Sequence, residues 1–157
     1  MTKAQGEPWF KNGLRFSCTQ CGNCCTGGPG AVWFTPAEGG AMAAALGMTE
    51  EEFTAKHTRV IAQRRSLNES ETTHGFDCTF LDRTTDPGRA LCRVYQARPA
   101  QCRTWPFWPE NMSTPQAWKD AKARTPCPGM GQGQLITIEE IRILRDQDAA
   151  DNSTAPW

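Results

Sequence analysis

The sequence predicts an α+β fold: a small, irregular domain with short helices and a short hairpin arranged around its cysteines. Three observations favour this class. Helix start signals recur along the chain, but the segments between them are rich in turn residues, with 14 Gly and 11 Pro among 157 residues. Leu, Val, Ile and Phe together account for only 22 residues, so the aliphatic core is thin. The eight cysteines could supply the cross-links that offset the ordering entropy of such a loop-rich chain.

Length, charge and hydropathy predict one domain outside the membrane. The 17 basic and 17 acidic residues cancel, whereas proteins that bind nucleic acid normally carry a basic excess, so nucleic acid is not an expected partner. No segment resembles a signal peptide or approaches the ~18 apolar residues of a membrane span. We therefore expect a cytoplasmic protein. Residues 1–147 are expected to form a single domain, followed by a polar, flexible tail over residues 148–157.

Capping sequences mark the first two helices. Residues 35–38 combine a Thr cap, a proline at the first helical position and a capping-box Glu, and the helix that follows should end near Gly47. A second capping box over residues 49–52 opens a short helix that is expected to end at about His57. Both predictions depend on local hydrogen bonding at the helix start, which short sequence patterns report directly.

The rest of the chain is predicted to contain two more helices and one hairpin. The helices are expected over residues 115–124 and from Thr137 onward. Residues 59–67 and 76–81 carry strand-forming residue types on either side of a turn-rich segment, so a hairpin is expected there. The glycine-rich residues 129–134 lack the preceding strand and the spacing of a dinucleotide-binding fingerprint, and we expect a loop.

Four of the cysteines lie within eight residues, in the sequence CTQCGNCC from Cys18 to Cys25. In a C-x2-C segment the chain can turn back so that two sulfurs converge on one metal, and C-x2-C-x2-C also occurs in iron–sulfur proteins. Because successive residues of an extended chain point to opposite sides, Cys24 and Cys25 are expected to serve two half-sites or two atoms of one polynuclear cluster. The segment predicts a metal centre without specifying the metal.

Disulfides are the alternative use of eight cysteines. An even number would allow four bridges, but nothing directs the chain to an oxidising compartment, and a bridge between adjacent cysteines would be strained. We therefore predict that every cysteine ligates metal, in one compact centre or two adjacent ones. The predicted ligands are Cys18, Cys21, Cys24, Cys25, Cys78, Cys92, Cys102 and Cys127. Both an iron–sulfur cluster, of the 4Fe–4S type, and zinc suit these ligands.

The segment CRVYQARPAQCRTWPFW, residues 92–108, makes a family resemblance visible when it is set beside FSCTQCGNCC and CTFL. Together these motifs resemble the CxxCxxCC (YkgJ-like) cysteine-cluster family of zinc- or iron-chelating domains. The resemblance spans residues 16–129 and departs from the family pattern at Thr79, where the family often has Pro. It implies metal chelation and a cytoplasmic location. Some flagellin lysine methylases resemble the same cysteine pattern and carry an iron–sulfur cluster, although this chain is short to hold a separate methyl-donor fold.

Arginines beside the later cysteines are the other candidate site residues. Thiolates bound to metal carry a large negative charge, and we predict that Arg98 and Arg103 stabilise that charge, the alternative being ordinary surface ion pairs. The aromatic residues of the same segment are expected to shield the site and to pack the core rather than to stack on bases. With eight thiols present, His57 and His74 are not needed as ligands.

Three functions remain open from the sequence. An iron–sulfur protein would serve electron transfer, sensing or protein modification, with the cluster as its partner. A structural zinc domain would instead hold together a recognition surface for a protein partner. An enzyme that acts on a protein substrate is the third, and it would need an open coordination position or a cysteine left over from ligation. The CC pair favours the first of these, because it suits a polynuclear centre.

Overall fold

The computed structural model describes residues 6–152. Within this range the helices are α1 Pro36–Ala45, α2 Glu50–His57, α3 Ala100–Arg103, α4 Pro109–Met112, α5 Pro115–Arg124 and α6 Ile138–Asn152. The strands are β1 Leu14–Phe16, β2 Thr58–Ile61, β3 Arg64–Leu67, β4 Glu69–Thr72, β5 Gly75–Cys78, β6 Leu81–Asp82, β7 Leu91–Cys92 and β8 Met130–Ile136. Two short 3₁₀ turns, Asn23–Cys25 and Tyr95–Ala97, complete the regular structure. Short helices and antiparallel strand pairs confirm the predicted α+β class.

The capping boxes form as predicted at the starts of α1 and α2. At α1, the backbone N–H of Glu38 donates to Thr35 Oγ1 at 3.2 Å, and Glu38 Oε1 accepts from the Thr35 N–H at 2.9 Å. Thr49 and Glu52 make the same reciprocal pair at α2, with distances of 3.1 and 2.9 Å. Each box satisfies two N–H groups that a helix start otherwise leaves without partners.

The predicted hairpin that joins residues 59–67 to residues 76–81 is wrong. The structure forms two separate antiparallel hairpins in this region, β2 with β3 and β4 with β5. The first turn consists of Ala62 and Gln63, which both adopt positive φ values of 48° and 66°. A two-residue turn in which both residues have positive φ matches the twist of paired strands. Asn, Asp and Gly are the residues that normally predict such a turn, and Ala and Gln are not. Glu69–Thr72, which lie in the segment expected to be a turn, instead form β4.

The glycine-rich segment at residues 129–134 also differs from its prediction as a loop. Most of it belongs to β8, which pairs antiparallel with β1 across a register shift between Arg15 and Phe16. Gly133 has a φ of 79°, and a Cβ there would lie 2.2 Å from Ser17 Oγ. Glycine therefore lets this strand pass close to the chain that leads into the first cysteine.

Two hydrophobic clusters make up the core. The Phe107 cluster contains Phe10, Phe107, Met112, Trp118, Ala121, Met130 and Ile141. The Phe80 cluster contains Phe34, Met42, Ala43, Phe53, Leu67, Phe80 and Val94. Cys127 packs against the first cluster, whereas Cys78 and Cys92 pack against the second. The cysteines therefore contact both halves of a divided core.

The last helix continues beyond the predicted domain end at residue 147. It runs to Asn152, and within it Ile141 is fully buried while Asp148 is 3% exposed and accepts a hydrogen bond from Thr104 Oγ1 at 3.5 Å. Residues 153–157, the end of the predicted tail, lie outside the described residues. None of the helices within residues 6–152 has the length and apolar character needed to cross a membrane.

Candidate metal centre

All eight cysteines line one cavity of about 60 Å³. Each of them is a free thiol. They come from the loop after β1, the first 3₁₀ turn, the ends of β5 and β7, helix α3 and the loop before β8. The structure thus brings together every cysteine that the sequence predicts as a ligand. Among residues 6–152, no three His, Cys, Asp or Glu side chains stand close enough to hold a single ion, so the thiols surround a space rather than converge on a point.

The adjacent cysteines do not point to opposite sides, as an extended chain would require. Residues Asn23–Cys25 form a 3₁₀ turn, and the sulfurs of Cys24 and Cys25 lie 3.9 Å apart. The turn is preceded by Gly22, whose φ of 78° is left-handed. A Cβ at Gly22 would lie 2.5 Å from the Ala90 Cβ, so a larger residue would push the turn away from its neighbour. Both thiols therefore reach the same cavity.

Backbone N–H groups point at several of the sulfurs. The N–H of Gln20 donates to Cys18 Sγ at 3.4 Å, and the N–H of Asn23 donates to Cys21 Sγ at 3.5 Å. In both cases the donor lies two residues after the cysteine, as the turn of a C-x2-C segment allows. Hydrogen bonds to sulfur stabilise the thiolate form, which is the form that binds metal.

The same arrangement recurs at two later cysteines. Burial raises the pKa of Cys78 to about 11, and the backbone N–H of Phe80 opposes that rise. Burial also raises the pKa of Cys92, and the N–H of Val94 opposes it. Four cysteines thus have an N–H donor two residues further along the chain. The backbone itself therefore supplies hydrogen bonds that favour the thiolate form.

Mutual repulsion and burial keep several of these thiols protonated in the absence of a cation. Burial raises the pKa of Cys102 well above its usual range, and the neighbouring sulfurs raise it further. A hydrogen bond with Cys24 strongly raises the pKa of Cys25, and the same bond lowers the pKa of Cys24 to about 7. A bound metal ion would supply the positive charge that lets the whole group ionise, so metal binding releases protons.

Of the two arginines predicted to stabilise sulfur charge, Arg98 lies beside the cavity and Arg103 does not. Arg98 lines the cavity, and its charge opposes the effect of burial on the pKa of Cys92 and Cys102. Arg103 is absent from the cavity lining, and its side chain is 45% exposed. Its Nη2 lies 3.7 Å from Glu38 Oε2, as in the surface-pair alternative. The two arginines are therefore not equivalent.

Aromatic side chains form much of the remaining wall, and two of them bring polar groups that sequence reasoning missed. A hydrogen bond with the Cys18 side chain raises the pKa of Tyr95. Trp105 also lines the cavity, and its indole N–H is buried. Their positions within the motif mark both residues as close to the cysteines, but sequence spacing does not show which way a ring faces. Neither His57 nor His74 lines the cavity.

Fold and site together define a small cysteine-rich domain whose eight thiols line one cavity. A family model described as "CxxCxxCC: Putative zinc- or iron-chelating domain" matches residues 17–128. The match covers more than half of the chain, and the protein belongs to this family. No solved structure matches the chain. The donor set fits the description, because thiolates are soft ligands that suit zinc and iron–sulfur centres.

Proposed function

We propose that the protein holds an iron–sulfur centre in the cavity lined by its eight cysteines. One observation carries the proposal: eight thiols surround a single space of about 60 Å³, and among the described side chains no three stand close enough to hold one ion. A space bounded in this way suits several metal atoms with bridging sulfides better than one ion. A 4Fe–4S cluster takes four thiolates, so eight cysteines suffice for two adjacent centres. Such a cluster supplies one-electron chemistry when it is bound.

The surrounding residues would control the charge and the water access of that centre. Arg98 brings a fixed positive charge to the cavity wall. Backbone N–H groups donate to Cys18 and Cys21. Phe80, from the Phe80 cluster, and Phe16, which packs against the Phe107 cluster, line the cavity and limit contact with water. Charge, hydrogen bonds to sulfur and solvent exposure are the means by which a protein sets a cluster's reduction potential.

Electron transfer, sensing and protein modification are the roles that we propose for such a centre, in a cytoplasmic setting. Reduced thiols persist in the cytosol, and all eight cysteines here are free. The roles differ in the partner that they need: electron transfer needs a redox protein, sensing needs an effector, and modification needs a protein substrate. A coordination position that stays open to substrate would favour the last of these.

A structural zinc site is the second candidate, and the divided core favours it. Cys127 packs against the Phe107 cluster, whereas Cys78 and Cys92 pack against the Phe80 cluster. A metal ion bound to cysteines from both sides would cross-link the two halves of the domain. Four-thiolate zinc sites are closed and add directly to folding stability. The domain would then serve as a recognition module for a protein partner.

Elemental analysis of anaerobically purified protein separates the two candidates. We expect iron and acid-labile sulfide in similar amounts, with visible absorption that bleaches on reduction. The double variant Cys24→Ser/Cys25→Ser should lose this absorption, whereas the control Ser70→Ala, on the exposed face of β4, should keep it. A colourless protein with stoichiometric zinc and no sulfide would contradict the iron–sulfur proposal and support the structural zinc site.

A further inference from the structure

The indole N–H of Trp105 is buried, and no atom of residues 6–152 accepts a hydrogen bond from it. Buried N–H groups are almost always paired in folded proteins, because an unpaired donor loses its bond to water and gains nothing in return. Trp105 also lines the same cavity as the eight cysteines. The residue with the unpaired donor therefore belongs to the wall of the predicted metal centre.

The Trp105 ring is held in position rather than free to turn toward water. It packs against the Phe107 cluster and meets the Trp108 ring edge to face, with ring centres 4.9 Å apart. Its chain neighbours Thr104 and Pro106 are both almost completely buried. Close packing of this kind leaves little room for another rotamer. The direction of the N–H is thus set by the fold.

Other tryptophans of the protein show how their N–H groups are normally satisfied. Trp9 Nε1 donates to the backbone oxygen of Met112 at 2.7 Å. Trp108 Nε1 donates to the backbone oxygen of Gln101 at 2.8 Å. Both acceptors belong to the protein chain. None of the eight thiols accepts a hydrogen bond from Trp105 Nε1, although all of them line the same cavity.

We propose that Trp105 donates a hydrogen bond from Nε1 to a sulfide of the bound centre. This inference rests on the proposed iron–sulfur function and adds the chemical class of the acceptor: an inorganic sulfide, which a zinc ion alone would not provide. A donor aimed at a bridging sulfide stabilises the more negative, reduced state of a cluster and so raises its reduction potential. Trp105 is a positioning and tuning residue, because it acts on the centre and not on a substrate.

The test compares two tryptophan variants. Trp105→Phe removes the N–H and keeps an aromatic ring in the cavity wall. The control Trp9→Phe removes an N–H that donates to the backbone oxygen of Met112, and Trp9 does not line the cavity. For each protein, iron and sulfide are counted first, and then the reduction potential, the resonance Raman bands of the bridging iron–sulfur bonds, and the rate of iron loss to a chelator are measured.

We expect Trp105→Phe to have a more negative reduction potential, shifted bridging bands, and iron loss about tenfold faster than the unmodified protein. The bridging bands should also shift between H₂O and D₂O in the unmodified protein and in Trp9→Phe, and this isotope shift should vanish in Trp105→Phe. Vibrational bands of bridging sulfides report the hydrogen bond itself, which a purely structural role of the ring would leave unchanged.

Two results would overturn the inference, and they are distinguishable. Trp105→Phe with full iron and sulfide, unchanged bridging bands and an unchanged potential would refute the hydrogen bond while leaving the iron–sulfur proposal intact. A protein without sulfide would refute both. Where Trp105→Phe does not fold, replacing Trp105 with benzothienylalanine, which has sulfur in place of the N–H in a ring of similar size, allows the same comparison.

Discussion

The guanidinium carbon of Arg98 lies 3.8 Å from the centre of the Tyr95 ring. Arg98 Nε also donates to the backbone oxygen of Tyr95 at 2.9 Å. A planar guanidinium stacks well on an aromatic face, and the added hydrogen bond fixes its direction. Because both residues line the sulfur cavity, the positive charge is fixed beside the thiols rather than spread over solvent-exposed conformers.

Replacing Arg98 with Met should therefore speed metal loss to a chelator by about tenfold. Loss of a residue that supports metal ligands usually lowers metal affinity by roughly 10- to 100-fold, and we expect the lower end of that range. Arg98→Lys should recover part of the effect, since it keeps the charge but not the stacked, planar donor. Arg103→Met is the matched control, because its half-exposed pair with Glu38 is worth about 0–1 kcal/mol. Equal effects of Arg98→Met and Arg103→Met would show that Arg98 has no special role.

Single replacements of the adjacent cysteines should both be damaging. Cys24→Ser and Cys25→Ser each remove a thiol from the same cavity, so each should lower metal content and the midpoint of thermal unfolding. Metal counted per chain, together with thermal unfolding of the same samples, checks this. A variant that retains full metal content would remove that cysteine from the ligand set.

Removal of the metal should disrupt folding. The core is divided into two clusters, and metal ligation contributes on the order of 10 kcal/mol at structural zinc sites. A strong chelator under reducing conditions should therefore broaden or abolish the thermal transition, measured by circular dichroism alongside metal analysis. An unchanged transition after verified metal loss would mean that the aromatic core holds the domain by itself.

Asp77, next to Cys78, gives a pH-dependent contribution to stability. Hydrogen bonds from Arg83 at 2.7 and 3.0 Å, with a further one from Thr26, lower the pKa of Asp77 to about 2. A lowered carboxyl pKa stabilises the fold above the ordinary value of about 4, and this contribution is lost as pH falls toward 2. Asp77→Asn should therefore cost about 1–3 kcal/mol at neutral pH.

The difference in unfolding free energy between the unmodified protein and Asp77→Asn is the quantity to follow, since acid also displaces metal from both proteins. It should be constant from pH 7 to about pH 5 and should shrink below about pH 4, where Asp77 begins to gain its proton in the unfolded chain. Glu71→Gln, on the exposed edge of β4, is a control in which no such trend is expected. A difference that does not change with pH would contradict the role of the Asp77 charge.

Local signals in the sequence predicted the four longer helices, because a capping box such as Thr35 with Glu38 is completed within four residues. The four-residue helices α3 and α4 were not predicted. The hairpins were predicted poorly, since the turn at Ala62 and Gln63 uses residues with no strong turn preference. The motif spacing correctly indicated which cysteines would lie together. It did not show that the chain turns at Cys24 and Cys25, because a spacing rule assumes a backbone conformation.

Side-chain direction explains what else the sequence could not provide. Arg98 and Arg103 stand at similar distances from cysteines along the chain, yet only Arg98 lines the cavity. The unpaired N–H of Trp105 likewise depends on how the ring packs against the Phe107 cluster and Trp108. Such properties are set by contacts between distant segments, which a pattern of residue types does not specify.

X-ray absorption at the metal edge of the anaerobically purified protein tests the central claim most directly. The account predicts iron with a ligand shell made only of sulfur, together with scattering from neighbouring iron atoms. The same spectrum should be lost in Cys24→Ser/Cys25→Ser and kept in Ser70→Ala. A ligand shell dominated by nitrogen or oxygen would contradict the claim that the cysteine-lined cavity holds the metal, whatever that metal is.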